Sequence, residues 1–273
     1  MCIRDRCVNW AQLPPSKTLA QILRNAAGNI RSVASHNKKE GKEKGTVKVQ
    51  RGGTAVILRD ELAAYVTDSG VDPSGLGRWS WYLLEGKEGF RTRVISAYAS
   101  CGSAASKEET YYQQQARYIT EKGLRDTNPK KMFREDLLAQ LRKWRMKGDR
   151  IVLMMDANED VVDGVMCRQL REEDINLREV VFAHTQTKGP NTYFRGKDAI
   201  DGIWVSEEVE TSAAAYLPFD PELGDHRPVV ANISKRSLLG TQGPRIKPAA
   251  ARRLNSKVKR IRQKYIDLSL IHI

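Results

Sequence analysis

The sequence predicts an α/β sandwich, and three observations carry that prediction. Short apolar runs of strand character are interleaved with segments of helical period. Two of the runs are joined by a glycine-containing hairpin signal, which argues against a purely parallel sheet. One run, Ile151–Met155, is apolar at every position, as expected of a strand buried on both faces. The chain has 273 residues, 40% hydrophobic and 29% charged, enough to bury a real core as one large domain or two small ones. No apolar run approaches the ~20 residues of a membrane-spanning helix, so no membrane partner is expected. The composition is too apolar for a wholly disordered chain, and four cysteines are too few for a disulfide scaffold.

In chain order, Pro14-Pro15-Ser16 followed by Leu19, Ile22 and Leu23 reads as a short helix capped by Ser16. Arg31–Ser35 reads as a strand and His36–Gly45 as a Lys-rich loop. Gly52–Leu58 is a glycine turn entering an apolar strand, and Asp68–Gly77, rich in Gly, Pro and Asp, reads as a loop. Arg78–Glu85 and Phe90–Ser100 are strands joined through Gly86–Gly89. The stretch 101–131 contains no strand signal, and Tyr111–Gln115 starts a helix. From Phe133 to Lys147 the residues Phe133, Leu137, Leu138, Leu141 and Trp144 share one helical face, with Gly148 as the stop. Arg150–Met155 is the buried strand, ending at Asp156. A helix around Val162–Arg171 and strands at Ile200–Val205 and Pro228–Ile233 complete the pattern. Leu238–Ala250 reads as a linker, and Ala251–Tyr265 as a basic helix with Leu254, Val258 and Ile261 on one face.

Charge is unevenly spread. Residues 235–267 hold eleven Lys/Arg against the single acid Asp267, a net of +10, whereas residues 7–234 carry only +2 of the chain's formal +13. Any electrostatic grip on a polyanion is therefore expected from the C-terminal segment. The two ends read as translated adapter sequence. Codons for Met-Cys-Ile-Arg-Asp and for Leu-Ser-Leu-Ile-His-Ile are reverse complements over a shared stretch, which sets residues 1–6 and 268–273 apart from the biology. Cys7, Cys101 and Cys167 are widely separated, with no zinc spacing, and read as buried free thiols of a reducing compartment.

Four segments are candidates for chemistry. In Met154-Met155-Asp156-Ala157-Asn158, a carboxylate directly after a buried strand and an amide two residues on would lie on the same side of an extended turn. Asp156 is suited to orienting or deprotonating a water and Asn158 to donating to a phosphate oxygen, although an Asx-turn or helix cap is an equally open role. In Asp198–Val205, Asp201 lies at the start of an apolar strand, where a charge needs a cationic or imidazole partner, unless it is a surface turn acid. Asp225-His226 opens the last strand. This histidine is suited to proton transfer if a second carboxylate fixes its tautomer, and a satisfied loop histidine is the alternative. In Val94–Ser100, Tyr98 at a strand's C-terminal end either presents its hydroxyl to a phosphate or packs in the core.

Taken together and in chain order, RGGTAVIL (51–58), SAYAS (96–100), MDAN (155–158), IDGI (200–203) and GDHRP (224–228) resemble the motifs of the endonuclease/exonuclease/phosphatase superfamily, the deoxyribonuclease-I-like enzymes, from about Val8 to Ile233. The resemblance implies a four-layered sandwich of two packed mixed sheets flanked by helices, here missing its first strands. It assigns residues 7–234 to this domain and 235–267 to a basic linker and helix. It also implies His226 as the catalytic histidine at the scissile phosphate, Asp201 as its orienting carboxylate, and Asp156 as the group that activates water or joins the metal site. Asn158 and Tyr98 would hold phosphate oxygens, and Asp225 would support a Mg²⁺ (or Mn²⁺) ion. Three departures stand out. The superfamily's early Asn and its principal Glu ligand have no counterpart, since Glu40 and Glu43 lie in a Lys-rich loop. Gly224 stands where Ser is usual, and Ala199 precedes Ile200 where Ser is common.

The basic segment and its place after a nuclease-like domain further resemble the endonuclease region of LINE-type retrotransposon polyproteins. This implies a DNA substrate, a following reverse transcriptase and a nuclear location, with low or no activity in this chain for want of the Glu ligand. Two other readings stay open: a phosphatase or phospholipase of the same superfamily, and a catalytically dead nucleic-acid-binding module.

Overall fold

A computed structural model describes residues 30–36, 52–102, 110–220 and 224–240, together with 263, 266 and 267. The chain divides into a unit of residues 1–241 and a second of 242–273, and all that follows concerns the first. The Ser16-capped helix, the 37–45 loop and nearly all of the basic helix at 251–265 lie outside the described residues.

Ten strands and six helices alternate along the described chain. Strands β1 (Ile30–His36) and β2 (Gly53–Arg59) pair antiparallel and are followed by α1 (Asp60–Ala64). Strands β3 (Val66–Val71), β4 (Trp79–Glu85) and β5 (Arg91–Tyr98) form a meander, then come α2 (Tyr111–Glu121), α3 (Pro129–Met146) and β6 (Arg150–Asp156). Helix α4 (Val165–Leu170), β7 (Leu177–Glu179), α5 (Val180–Thr185), β8 (Asp201–Ser206), β9 (Thr211–Tyr216), β10 (Val229–Ile233) and α6 (Lys235–Leu239) complete it. The main sheet has six strands in the order β3-β4-β5-β6-β8-β7. It is mixed, since β5 and β6 run parallel and its other pairs antiparallel.

Strand alternation gives this sheet two apolar faces. On one, Trp79, Ile95, Ile151, Leu153, Met155 and Trp204 pack against Phe133, Leu137, Leu141 and Trp144 of α3 and Met166 and Leu170 of α4. On the other, Tyr82, Leu84, Val94, Val152, Ile203 and Val205 pack against Val56 and Leu58 of β2, Val229 and Ile233 of β10, and Leu238 and Leu239 of α6. The α/β sandwich expected from the sequence is present. Its second β layer consists of two separate antiparallel pairs, β1–β2 and β9–β10.

Several boundaries differ from the sequence reading, each for a local reason. Helix α3 starts four residues before Phe133, because Asn128 caps it through a hydrogen bond from the Lys131 amide (3.0 Å) and Pro129 occupies the first turn. Residues 66–71, partly read as loop, form the edge strand β3. Its polar residues face solvent, and Gly70 is required because the Trp81 ring fills the space a Cβ would take. Leu238 and Leu239, read as the start of a linker, belong instead to α6. Ser234 caps α6, both leucines are buried, and their carbonyls accept from Thr92 Oγ1 (2.7 Å) and the Lys87 amide (2.9 Å). Cys167 is buried as expected, but Cys101 is exposed, because it follows β5 beyond the last packed position.

Candidate active site

The site is built on one rung of the main sheet. Tyr98 ends β5, Asp156 ends β6 and Asp201 begins β8, and the ladder pairs Tyr98 with Asp156 and Asp156 with Asp201. Alternation puts all three on the sheet face that also bears Val94, Val152, Ile203 and Val205. The carboxylates therefore stand side by side at the rim of that face, where the apolar positions of three strands run out. Short backbone bonds close the rim: the Ala99 amide donates to the Asp156 carbonyl (2.9 Å) and the Ala157 amide to the Ile200 carbonyl (2.8 Å).

His226 arrives from the other β layer, in the turn before β10. Its Nδ1 lies 2.6 Å from Asp201 Oδ2, with the two side chains only 15% and 16% exposed. Asp156, Asp201 and His226 each present one ligand atom within 4.8 Å of the others. Two further contacts hold the two members of the pair, one on each side. Tyr193 forms a bridge with it in the backbone and sets its ring 5.1 Å from the imidazole. Thr192, fully buried, accepts through Oγ1 from the amides of Ile200 (2.9 Å) and Asp201 (3.0 Å), which pins the first residue of β8.

Asn158 adopts a left-handed backbone (φ 48°), and its amide donates to Asp156 Oδ1 at 3.0 Å, an Asx-turn. Its side-chain Nδ2 donates one hydrogen to the Ala99 carbonyl at 2.6 Å, so one donor hydrogen remains for a ligand. Tyr98 is half-buried and stacks on Tyr111 of α2, with rings 5.2 Å apart and 7° from parallel. Tyr111 is held by a hydrogen bond from its hydroxyl to the Leu76 carbonyl (3.0 Å), and burial raises its hydroxyl pKa well above the ordinary range. Asp225 precedes His226 and accepts the Phe194 amide through its backbone carbonyl (2.9 Å). Its carboxylate is not part of the 4.8 Å cluster.

One charged pair supports the rim from beneath. Arg78 Nε and Asp72 Oδ2 are 2.7 Å apart and both side chains are almost fully buried, with Asp136 reaching the same guanidinium. Burial pushes the Asp72 carboxyl up, but the bonds and charge of Arg78 outweigh it, so its pKa is lowered. The Arg78 carbonyl accepts the Tyr98 amide (2.9 Å), tying this pair to the rung. Neither Thr192-Tyr193 nor Arg78 stands out in the sequence. The usable signal was a polar Asn-Thr-Tyr segment a few residues before Asp201, whose hydroxyl has no apolar pattern to join.

The donor set bears on metal binding. Nδ1 of His226 and Oδ2 of Asp201 are engaged with each other, so the three residues are not a ready three-ligand cage. The Asp156 carboxylate is a hard oxygen donor, and one carboxylate completed by water and substrate phosphate is a usual way to hold Mg²⁺. The residues present fit a hard divalent cation held in that way.

No protein-family model and no curated protein sequence matches the chain. Solved structures do match in fold. The catalytic domain of human Nocturnin, with bound sulfate, superposes with a TM-score of 0.56 at 13% identity, covering 85% of this chain and 79% of that one. A 3′ phosphatase from Neisseria, NExo, bound to a product DNA hairpin, gives 0.53 at 17% identity, over 81% and 85%. The 3′–5′ exonuclease NExo from Neisseria meningitidis gives 0.52 at 18%, over 81% and 85%. The chain has the endonuclease/exonuclease/phosphatase fold. The fold expectation from the sequence motifs thus holds; at these identities the likeness concerns architecture alone.

Proposed function

We propose that this domain is a metal-dependent phosphodiester hydrolase acting on nucleic acid. The observation that carries the reading is the 2.6 Å bond between Asp201 and His226, set on the same rung as Asp156. The Asp201 carboxylate fixes the imidazole through Nδ1, so Nε2 would be the ring atom that exchanges a proton with a reacting oxygen. The Asp156 carboxylate orients the attacking water or holds the cation, and the remaining Asn158 hydrogen is available to a phosphoryl oxygen. A bound Mg²⁺ would neutralise charge on the phosphoryl oxygens.

The preference for DNA, and the place of the domain as an endonuclease of a mobile-element polyprotein acting in the nucleus, rest on sequence features. These are the +10 of residues 235–267 and its position after a nuclease-like domain. Supercoiled plasmid incubated with the chain and Mg²⁺ tests the reading. Slow nicking is expected, since the superfamily's Glu ligand has no counterpart among the sequence motifs; EDTA should abolish it and His226→Ala should slow it by about a hundredfold or more. Nicking by His226→Ala at the wild-type rate refutes the assignment of the site. Release of phosphate from small or lipid monoesters with no plasmid nicking would replace nucleic acid by those substrates.

A further inference from the structure

Beside His226 lies an aromatic pair that the proposed chemistry does not use. Phe194 is 67% exposed, an unusual state for a phenylalanine in an otherwise ordered loop. Its backbone is fixed, because its amide donates to the Asp225 carbonyl (2.9 Å) and it directly follows Tyr193, which bridges His226. Its ring meets Phe219 edge-on, with centroids 5.6 Å apart and planes at 83°. Phe219 is backed in turn by the Arg227 guanidinium, 4.0 Å from its ring. Arg227 is itself tied down, through Nε to the Asn191 carbonyl (2.9 Å).

Two loops therefore hold one aromatic face open to solvent with a stacked cation, a half-buried ring and two hydrogen bonds to backbone carbonyls, next to Tyr193, whose ring packs against His226. An exposed ring of this kind gains nothing for the core and exposes apolar surface to water. It gains when a flat apolar ligand covers it. Arg195, next in the chain, is exposed and pairs with no described acid.

We propose that Phe194 and Phe219 form a stacking platform for an unpaired nucleobase next to the scissile phosphate, so that the preferred substrate is single-stranded or locally unpaired nucleic acid. The inference rests on the phosphodiesterase reading for the location of that phosphate. Base–aromatic stacking tolerates any base, so the platform selects for the unpaired state and not for sequence. Phe194 and Phe219 act here as binding residues, and the proton-transfer groups are untouched by their removal.

The test uses the full chain in EDTA and two fluorescein-labelled decamers. One is of thymidine, and the other has the same phosphates but a tetrahydrofuran in place of every nucleoside. Fluorescence anisotropy should show the thymidine decamer bound about five- to a hundredfold more tightly, the range that stacking of one base supplies. Phe194→Ala should shrink that gap to within twofold while leaving affinity for the baseless decamer unchanged, and Phe194→Trp should retain it. Equal binding of both decamers by the wild type, a gap that survives both Phe194→Ala and Phe219→Ala, or no binding of either decamer overturns the platform. Cleavage of the baseless decamer on adding Mg²⁺ reports on the hydrolase reading separately. Cleavage without a gap leaves the site standing and removes the platform; a Phe194-dependent gap without cleavage does the reverse.

Discussion

If the Asp201–His226 pair works as one unit, removing either partner should forfeit what the other contributes. The bond is 2.6 Å long and its members are about five-sixths shielded from water, so it belongs with hydrogen bonds to charged groups, about 1.5–3 kcal/mol each. At about 1.4 kcal/mol per decade, Asp201→Ala should lower kcat/KM by about 10- to 150-fold through loss of imidazole orientation. His226→Ala removes the proton-transfer group itself and should cost about 10²- to 10⁴-fold. The double variant should then be no slower than His226→Ala alone, because an orienting group has nothing left to orient. Independent roles would instead multiply to about 10³- to 10⁶-fold. The assay is plasmid nicking under single-turnover conditions for all four proteins, with near-ultraviolet circular dichroism to show that each is folded. A double variant falling tenfold or more below His226→Ala, or an Asp201→Ala that nicks at the wild-type rate, refutes the coupling.

Two further outcomes follow from the supports of the site. Thr192→Val removes a buried oxygen that accepts two amides and should destabilise the domain by about 1–3 kcal/mol for each orphaned donor, read by urea titration. Thr192→Ser should stay near wild type, and a Ser variant as weak as Val would point to methyl packing instead. Asp72→Ala leaves Arg78 buried without its main partner and should cost about 3–5 kcal/mol. Because the folded-state pKa of Asp72 lies below its ordinary value of 3.8, its share of stability is present above that value and is lost as pH falls through the folded one. The wild type should therefore weaken below about pH 4, and urea titrations of Asp72→Asn across pH 2.5–7 should show a flatter profile. An unchanged acid limb would show that other carboxylates set it.

Much of this was legible in the sequence because the relevant signals are local. The apolar run before Asp156, the helical stripe from Phe133 to Trp144 and the Asp-His opening of β10 each report on a neighbourhood of a few residues. The features that escaped are those set by distant contacts. β3 is a polar edge strand identified by its partner β4, and β9 (TSAAAY) has little apolar alternation of its own and exists through pairing with β10. Arg93 sits inside a strand because Asp149 binds its Nε (2.7 Å) and Trp81 and Trp144 flank its guanidinium, an environment no window of sequence displays. The chemistry behaves in the same way. Each candidate residue was nameable, but whether Asp201 meets His226 depends on two β layers closing over one another.

The alignment of Tyr98, Asp156 and Asp201 along a single rung has a consequence for how the molecule proves itself. Side chains on a strand change sides at every step, so a misalignment of β8 by one notch would bring Ile200 or Gly202 opposite Asp156 and drive Trp204 out of its apolar seat. A polypeptide assembled that way would be both unstable and chemically silent. If the proposed hydrolysis is observed, turnover per mole of purified material is therefore also a gauge of the fraction whose central strands have zipped correctly.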